Sequence, residues 1–352
     1  MIENGADNSS SVFVSTMLSF QKQSFTASQK LGFINQLFTK GNIYLYYLNH
    51  LTDEDIGLSI PEIKKYLYEL FDKQVYPYMV WLAYFKKADI HAKHEAACKI
   101  LAAPDIDLLQ YDIVVVAFDQ KGYDENSKQE IEKAKHKAAI KILAAPDITL
   151  LQHDIVVAAF DQKGYDETSK QEIEKAKHEA ACKILAAPDI TLLIHHIVVA
   201  AFDQKGYDEE SKQEIEKAKH KAVSKILAAP DITLLQPEIV VAAFHQKGYD
   251  ETSKQKIEKA KHKAATKILD DYDWDSKKDT MMFQALRFFS NEATYPSRVN
   301  ELVTEIINQF HQHKHERDSS LYFRRLNIIV GYPFHNIAIW KGNCLYYITS
   351  VH

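Results

Sequence analysis

Five histidines recur at one spacing: His94, His136, His178, His220 and His262, each 42 residues after the last. Imidazole is both a common metal ligand and the side chain that changes charge near neutral pH. A ladder of this kind therefore invites a metal-site or pH-switch reading. One histidine per stacked unit would stand about 10 Å from the next at ordinary helix-packing distances. A zinc ligand sits about 2 Å from its metal, so the ladder cannot converge on one ion. Duplication of the unit accounts for it. The cysteines add no framework. Cys98 and Cys182 occupy the same place in the period, Cys344 lies far downstream, and no CxxC pair occurs. His311, His313 and His315 alternate within QFHQHKHERD, which scatters them round a helix. No Walker loop, GxGxxG, HExxH or GxSxG is present. The sequence thus assigns no metal and no cofactor.

Recognition is the second chemistry to weigh. One triplet varies more than the rest of the unit: Gln110-Tyr111-Asp112, Gln152-His153-Asp154, Ile194-His195-His196 and Gln236-Pro237-Glu238. Some repeat proteins read one ligand element per unit through such positions. Tyr111, Asp112, His153, Asp154, His195, His196, Pro237 and Glu238 are accordingly the candidate binding residues. Drift at an exposed helix start is the plainer explanation of the same variation.

The elements that position these residues follow from the repeat. Pro104, Pro146, Pro188 and Pro230 mark its period, as do Gly122, Gly164, Gly206 and Gly248. The units are 105–146, 147–188, 189–230 and 231–272, with a degenerate earlier copy ending at Pro104. Such self-similarity is the signature of a stacked array. Each unit reads as two helices. In the second unit, Asp147 is placed to cap a first helix over 148–162, and Gly164 to end it as a left-handed C′ residue. A second helix starts near Ser169, whose spacing to Glu172 fits a capping box, and runs to about Ala187, where Pro188 stops it. A buried strand over Ile155–Phe160 is the alternative, giving a β/α repeat.

The copies test the helix assignment. At about 100° per residue, Ile173, Ala176, Ala180 and Ile184 share one stripe. Positions 172, 179 and 182, which differ between copies, fall away from it. Lys177 sits near the stripe and is expected to snorkel into water. The first helix is apolar all round from Ile155 to Phe160, as a helix buried between neighbours would be. A single unit cannot cover its own apolar faces, and stacking lets each bury them against the next.

The arrangement resembles an α-solenoid of the HEAT, armadillo or tetratricopeptide kind, with a period closest to HEAT. That resemblance implies a mainly α fold. It would be a right-handed α-solenoid of two-helix 42-residue repeats, with a helical N-terminal cap and a small α/β C-terminal tail. It also implies a protein partner bound along the stacked surface. The VVAAF…KG segment resembles the DNA-reading repeats of plant-pathogen effectors, which have a shorter period and a basic surface. Here the second unit carries eight Asp and Glu against five Lys, a net of −3. A phosphate backbone would repel that charge, so nucleic acid is not the expected partner. Near-identical repeats of this composition are similar to effectors that intracellular bacteria inject into host cells. The expected location is then cytoplasmic, or the host cytosol.

Composition agrees with a folded protein. The chain of 352 residues is 46% hydrophobic and 26% charged, with a formal charge of −5. Ten Gly and nine Pro are too few for a turn-dense all-β protein. Three cysteines with no framework fit a reducing compartment. The N-terminal stretch has no basic, apolar leader pattern, and no run reaches the ~18 apolar residues of a membrane span.

Residues 1–12 read as a polar tail, 13–104 as a helical N-terminal region with a capping repeat, 105–272 as the four repeats, and 273–352 as a helical segment with a C-terminal hairpin. In the N-terminal region, helices are expected from Ser28 to Phe38 and from Ile60 to Asp72, the latter after a Ser59–Glu62 box. The dense Tyr and Phe there read as core and cap. After the repeats, helices are expected over 280–290 and 297–311. Lys341-Gly342-Asn343 marks a hairpin turn between two β-rich runs. The segment from His335 to Ile348 resembles the histidine strand of papain-like cysteine proteases and deamidases of bacterial effectors, which implies His335 as a general base. Thr349-Ser350 stands where that pattern has its orienting Asp or Asn, and no cysteine precedes Cys98. An enzyme with this hairpin in its active site, and repeats that present substrate, is the alternative to a protein-binding scaffold.

Overall fold

The computed structural model describes residues 25–32, 58–75, 77–270, 279–290, 304–305, 308, 337–341 and 344–348. The protein is mainly α, and its helices pack against neighbours in sequence order. It divides into two compact units, residues 1–177 and 178–352.

In the first unit, residues 27–32 are helical, followed by α1 (Ile60–Phe71), α2 (Tyr78–Lys87) and α3 (Ile90–Leu101). The Glu62 carboxylate accepts hydrogen bonds from the Ser59 backbone N–H and hydroxyl, both at 2.8 Å, and so fixes the start of α1. Among the described residues, Tyr66, Phe71, Trp81, Tyr84 and Phe85 form core. Trp81 is fully buried, with the rings of Phe71, Tyr84 and Phe85 about it. The expected helix 28–38 lies outside the described residues beyond position 32.

Two helices per period then follow: α4 (Tyr111–Asp119) and α5 (Glu125–Leu143), then α6 (His153–Phe160) and α7 (Glu167–Ala186), the last of which runs across the division. The second unit continues with α8 (His195–Asp203), α9 (Glu209–Leu227), α10 (Pro237–His245) and α11 (Glu251–Asp270). It is followed by α12 (Asp279–Ser290). Ile337–Lys341 and Cys344–Ile348 pair as an antiparallel hairpin, with Lys341 opposite Cys344. Most of the helix expected over 297–311 lies outside the described residues.

The IVVAAF run is helical, which removes the β/α alternative. In α6, Ile155, Val156, Ala159 and Phe160 are buried, and the equivalents in α4, α8 and α10 are buried too. Within each unit, short helix packs on short helix and long helix on long helix: α4 on α6 and α3 on α5 in the first, α8 on α10 and α9 on α11 in the second. The α12 helix closes the array by burying Met281, Met282, Ala285, Leu286 and Phe289, and it packs on both α10 and α11.

Several local expectations need correction. The first helix of a unit is not continuous over 148–162. Ile148–Leu150 forms a 3-10 turn, the chain extends at Gln152, and α6 begins at His153. Asp147 heads that short turn and makes no side-chain cap. Ser169 is the fourth residue of its box, not the first. Asp166 is the cap, with Ser169 N–H donating to Asp166 Oδ1 at 2.8 Å and Asp166 N–H donating to Ser169 Oγ at 2.8 Å. Asp124, Asp208 and Asp250 repeat this with Ser127, Ser211 and Ser253. Lys177 does not snorkel into water. It is 8% exposed, with Nζ 3.0 Å from Glu174 one turn earlier. Lys135, Lys219 and Lys261 make the same pair with Glu132, Glu216 and Glu258.

Gly164 is not a left-handed C′ residue. A Cβ there would stand 2.1 Å from the backbone nitrogen of Lys170, in the first turn of α7. The same collision occurs at Gly122, Gly206 and Gly248. These glycines are required because two backbones touch.

Two expected outcomes follow from this corner. Gly206→Ala must force the Ser211–Lys212 backbone aside, and should lower unfolding free energy in urea by about 1–3 kcal/mol. The capping aspartates, Asp124, Asp166, Asp208 and Asp250, are held below the ordinary carboxylate value, chiefly by the serine backbone N–H and then by its hydroxyl. Their stabilisation is complete above the ordinary value near 3.8 and drains away as pH falls through the lowered values. A chain with all four changed to Asn should lose less stability between pH 5 and pH 2 than wild type, measured by urea unfolding at each pH.

Candidate functional site

The variable residues sit together at equivalent places, the first two positions of the short helices. Tyr111 and Asp112 open α4, His153 and Asp154 open α6, His195 and His196 open α8, and Pro237 and Glu238 open α10. Tyr111, His196 and Glu238 are exposed and the other five half-exposed. Burial pushes the Asp112 carboxyl up, and the nearby Asp154 charge adds to this, while a hydrogen bond with Tyr111 opposes it. His153 Nε2 lies 3.3 Å from Asp154 Oδ1, and the His195 and His196 rings are 3.9 Å apart.

The first member of the triplet is structural. The opening N–H groups of a helix have no partner within it. The Gln152 side-chain oxygen accepts from the Tyr111 N–H at 2.9 Å, and Gln236 accepts from the His195 N–H at 3.0 Å. Each glutamine thus caps the short helix of the preceding repeat. Ile194 replaces it in one copy and cannot accept such a bond.

Beside these positions stands a feature that sequence reasoning missed. Leu150, Leu192 and Leu234, the last residues of the 3-10 turns, are 81%, 77% and 74% exposed. The signal was available, since the apolar run Ile-Thr-Leu-Leu cannot turn every side chain inward through a tight turn.

The histidine ladder has a packing role. His136 stands edge-on to Tyr165, His178 to Tyr207 and His220 to Tyr249, each aromatic belonging to the next repeat. His94 meets Tyr123 in the same way, and His262 meets Phe289 of α12. His94, His136 and His178 are buried. His136 Nε2 is 3.1 Å from Glu172, and His178 Nε2 is 3.2 Å from Glu214, each glutamate on the following long helix. His94 Nε2 instead faces the Ser127 carbonyl at 2.9 Å. Lys256 takes the glutamate's place opposite His220, whose Nε2 is buried without a hydrogen-bond partner among the described residues.

One member of the ladder gathers a third group. Cys182 Sγ is 3.8 Å from His178 Nε2, and together with a Glu214 oxygen these atoms all lie within 4.8 Å of one another. Burial, reinforced by the Glu214 charge, pushes the Cys182 thiol up to about 11. Burial and Glu130 do the same at Cys98. Neither thiol is poised as a nucleophile at neutral pH. His335 lies outside the described residues.

Neither the protein-family models nor the curated proteins include a match to this chain. Among the described residues, no helix is long and apolar enough to cross a membrane.

Proposed function

We propose that this protein is an interaction scaffold: a right-handed α-solenoid of 42-residue repeats that binds another protein along the stacked units. The observation that carries the reading is the recurrence of Leu150, Leu192 and Leu234, each at least 74% exposed, at one place in successive repeats. A leucine left in water forgoes about 1.5–3 kcal/mol that burial would return. Beside each leucine lie the residues that vary most, His153 and Asp154, His195 and His196, Pro237 and Glu238. Constant apolar contacts can supply affinity while changing polar neighbours set which partner fits. The resemblance of the repeats to injected bacterial effectors makes a host protein the partner class to seek.

The test compares two baits in eukaryotic lysate, the intact chain and a Leu150→Glu/Leu192→Glu/Leu234→Glu variant. The exposed leucines contribute little to folding, so circular dichroism and unfolding should match. Each leucine lost from an interface weakens binding about tenfold or more. A protein held by the intact chain should therefore be lost from the variant. Equal capture of the same proteins by both baits overturns the reading.

A further inference from the structure

We propose that His178 Nε2, Cys182 Sγ and a Glu214 carboxylate oxygen bind one divalent ion of the zinc class, with water as fourth ligand. Imidazole, thiolate and carboxylate are the three protein donors zinc accepts. The thiolate disfavours magnesium and calcium, which take oxygen. A tetrahedral zinc holds nitrogen and sulfur ligands about 3.6 Å apart, and nitrogen and oxygen ligands about 3.3 Å apart, from its usual bond lengths. The observed separations are 3.8 Å for His178 Nε2 to Cys182 Sγ and 3.2 Å for His178 Nε2 to Glu214 Oε2. His178 and Cys182 lie four residues apart on one face of α7, and Glu214 comes from α9.

The imidazole is already held in place. It is 4% exposed, and the Tyr207 ring stands edge-on to it at 5.7 Å. Glu214 is largely exposed, so it can close the remaining distance to sulfur without disturbing the core. On binding, the Cys182 S–H bond breaks, its proton goes to solvent and a sulfur–metal bond forms. His178 gives up the Nε2–H···Glu214 hydrogen bond and binds as its Nδ1–H tautomer. One proton leaves per ion.

The other repeats supply internal controls. His136 and Glu172 reproduce the histidine–glutamate pair, but Ile140 stands where Cys182 does. His94 and Cys98 reproduce the histidine–cysteine pair at 3.8 Å, but His94 Nε2 is engaged by the Ser127 carbonyl. Only at 178, 182 and 214 do all three donors converge among the described residues.

The test is titration of the full, reduced chain with cobalt(II), which gives a thiolate-to-cobalt charge-transfer band in the near ultraviolet when sulfur is a ligand. One equivalent should bind, with tetrahedral visible bands. Cys182→Ser should diminish or abolish the charge-transfer band, Cys98→Ser should leave it, and Glu214→Gln should weaken binding more than about tenfold. Ile140→Cys should add a second equivalent. Zinc should displace the cobalt. No charge-transfer band in the wild type, or a band undiminished in Cys182→Ser with unchanged circular dichroism, overturns the proposal.

Discussion

The repeats depend on a contact in which nothing larger than hydrogen fits. At Gly122, Gly164, Gly206 and Gly248 the turn lies against the first turn of the long helix, backbone to backbone. That approach lets the Asp–Ser box close directly beside it, because the capping aspartate follows the glycine by two residues. The box starts the long helix at a fixed point, and so places the histidine that meets the next repeat and the glutamate that meets the one before. Buried serines, such as Ser169 at 2% exposure, show how tightly the corner is packed.

Copying works here because a repeat such as 147–188 carries both halves of its contacts. Its long helix offers a histidine to the repeat that follows and a glutamate to the one before. Its turn offers a tyrosine to that same preceding histidine, and its glutamine caps the preceding short helix. A contact of this head-to-tail kind extends without redesign, because identical copies satisfy one another. The ends need different chemistry. At the C-terminal side, α12 supplies Phe289 where another repeat would supply tyrosine. Lysines near the long-helix ends complete the pattern: Lys225 donates to the Ala187 carbonyl at 3.1 Å, and Lys267 to that of Pro230, where the chain leaves the preceding long helix.

Much of this was legible in the residues. The stripe of Ile173, Ala180 and Ile184 and the stop at Pro188 give the long helix directly, and positions 172 and 179 are exposed as their variation implies. The short helix was harder. Ile148 to Phe160 is apolar enough to read as one helix, yet Leu151 and Gln152 are extended. Sequence periodicity does not register a two-residue break. The glycine's role is ambiguous in the sequence because φ > 0 and close backbone approach both select glycine. Lys177 reads as solvated by its type alone, yet Glu174 on the same helix holds it against the protein. The gathering of His178 with Cys182 and Glu214 is not legible in the 42-residue spacing of the histidines. The other donors lie one helical turn and one repeat away, and position 182 looked like a place for drift. It is half-buried beside the imidazole.

If a repeat is both the folding module and the binding element, changing their number must move both properties together. The most direct measurement deletes residues 189–230, which joins Pro188 to Asp231 in register. Unfolding free energy and the affinity for a captured partner are then compared with those of the intact chain. The shortened chain should fold with lower stability and hold its partner more weakly, because one set of stacked contacts and one exposed leucine with its neighbours are gone. A shortened chain that folds and binds the partner with undiminished affinity would contradict it, and would reduce the repeats to a spacer.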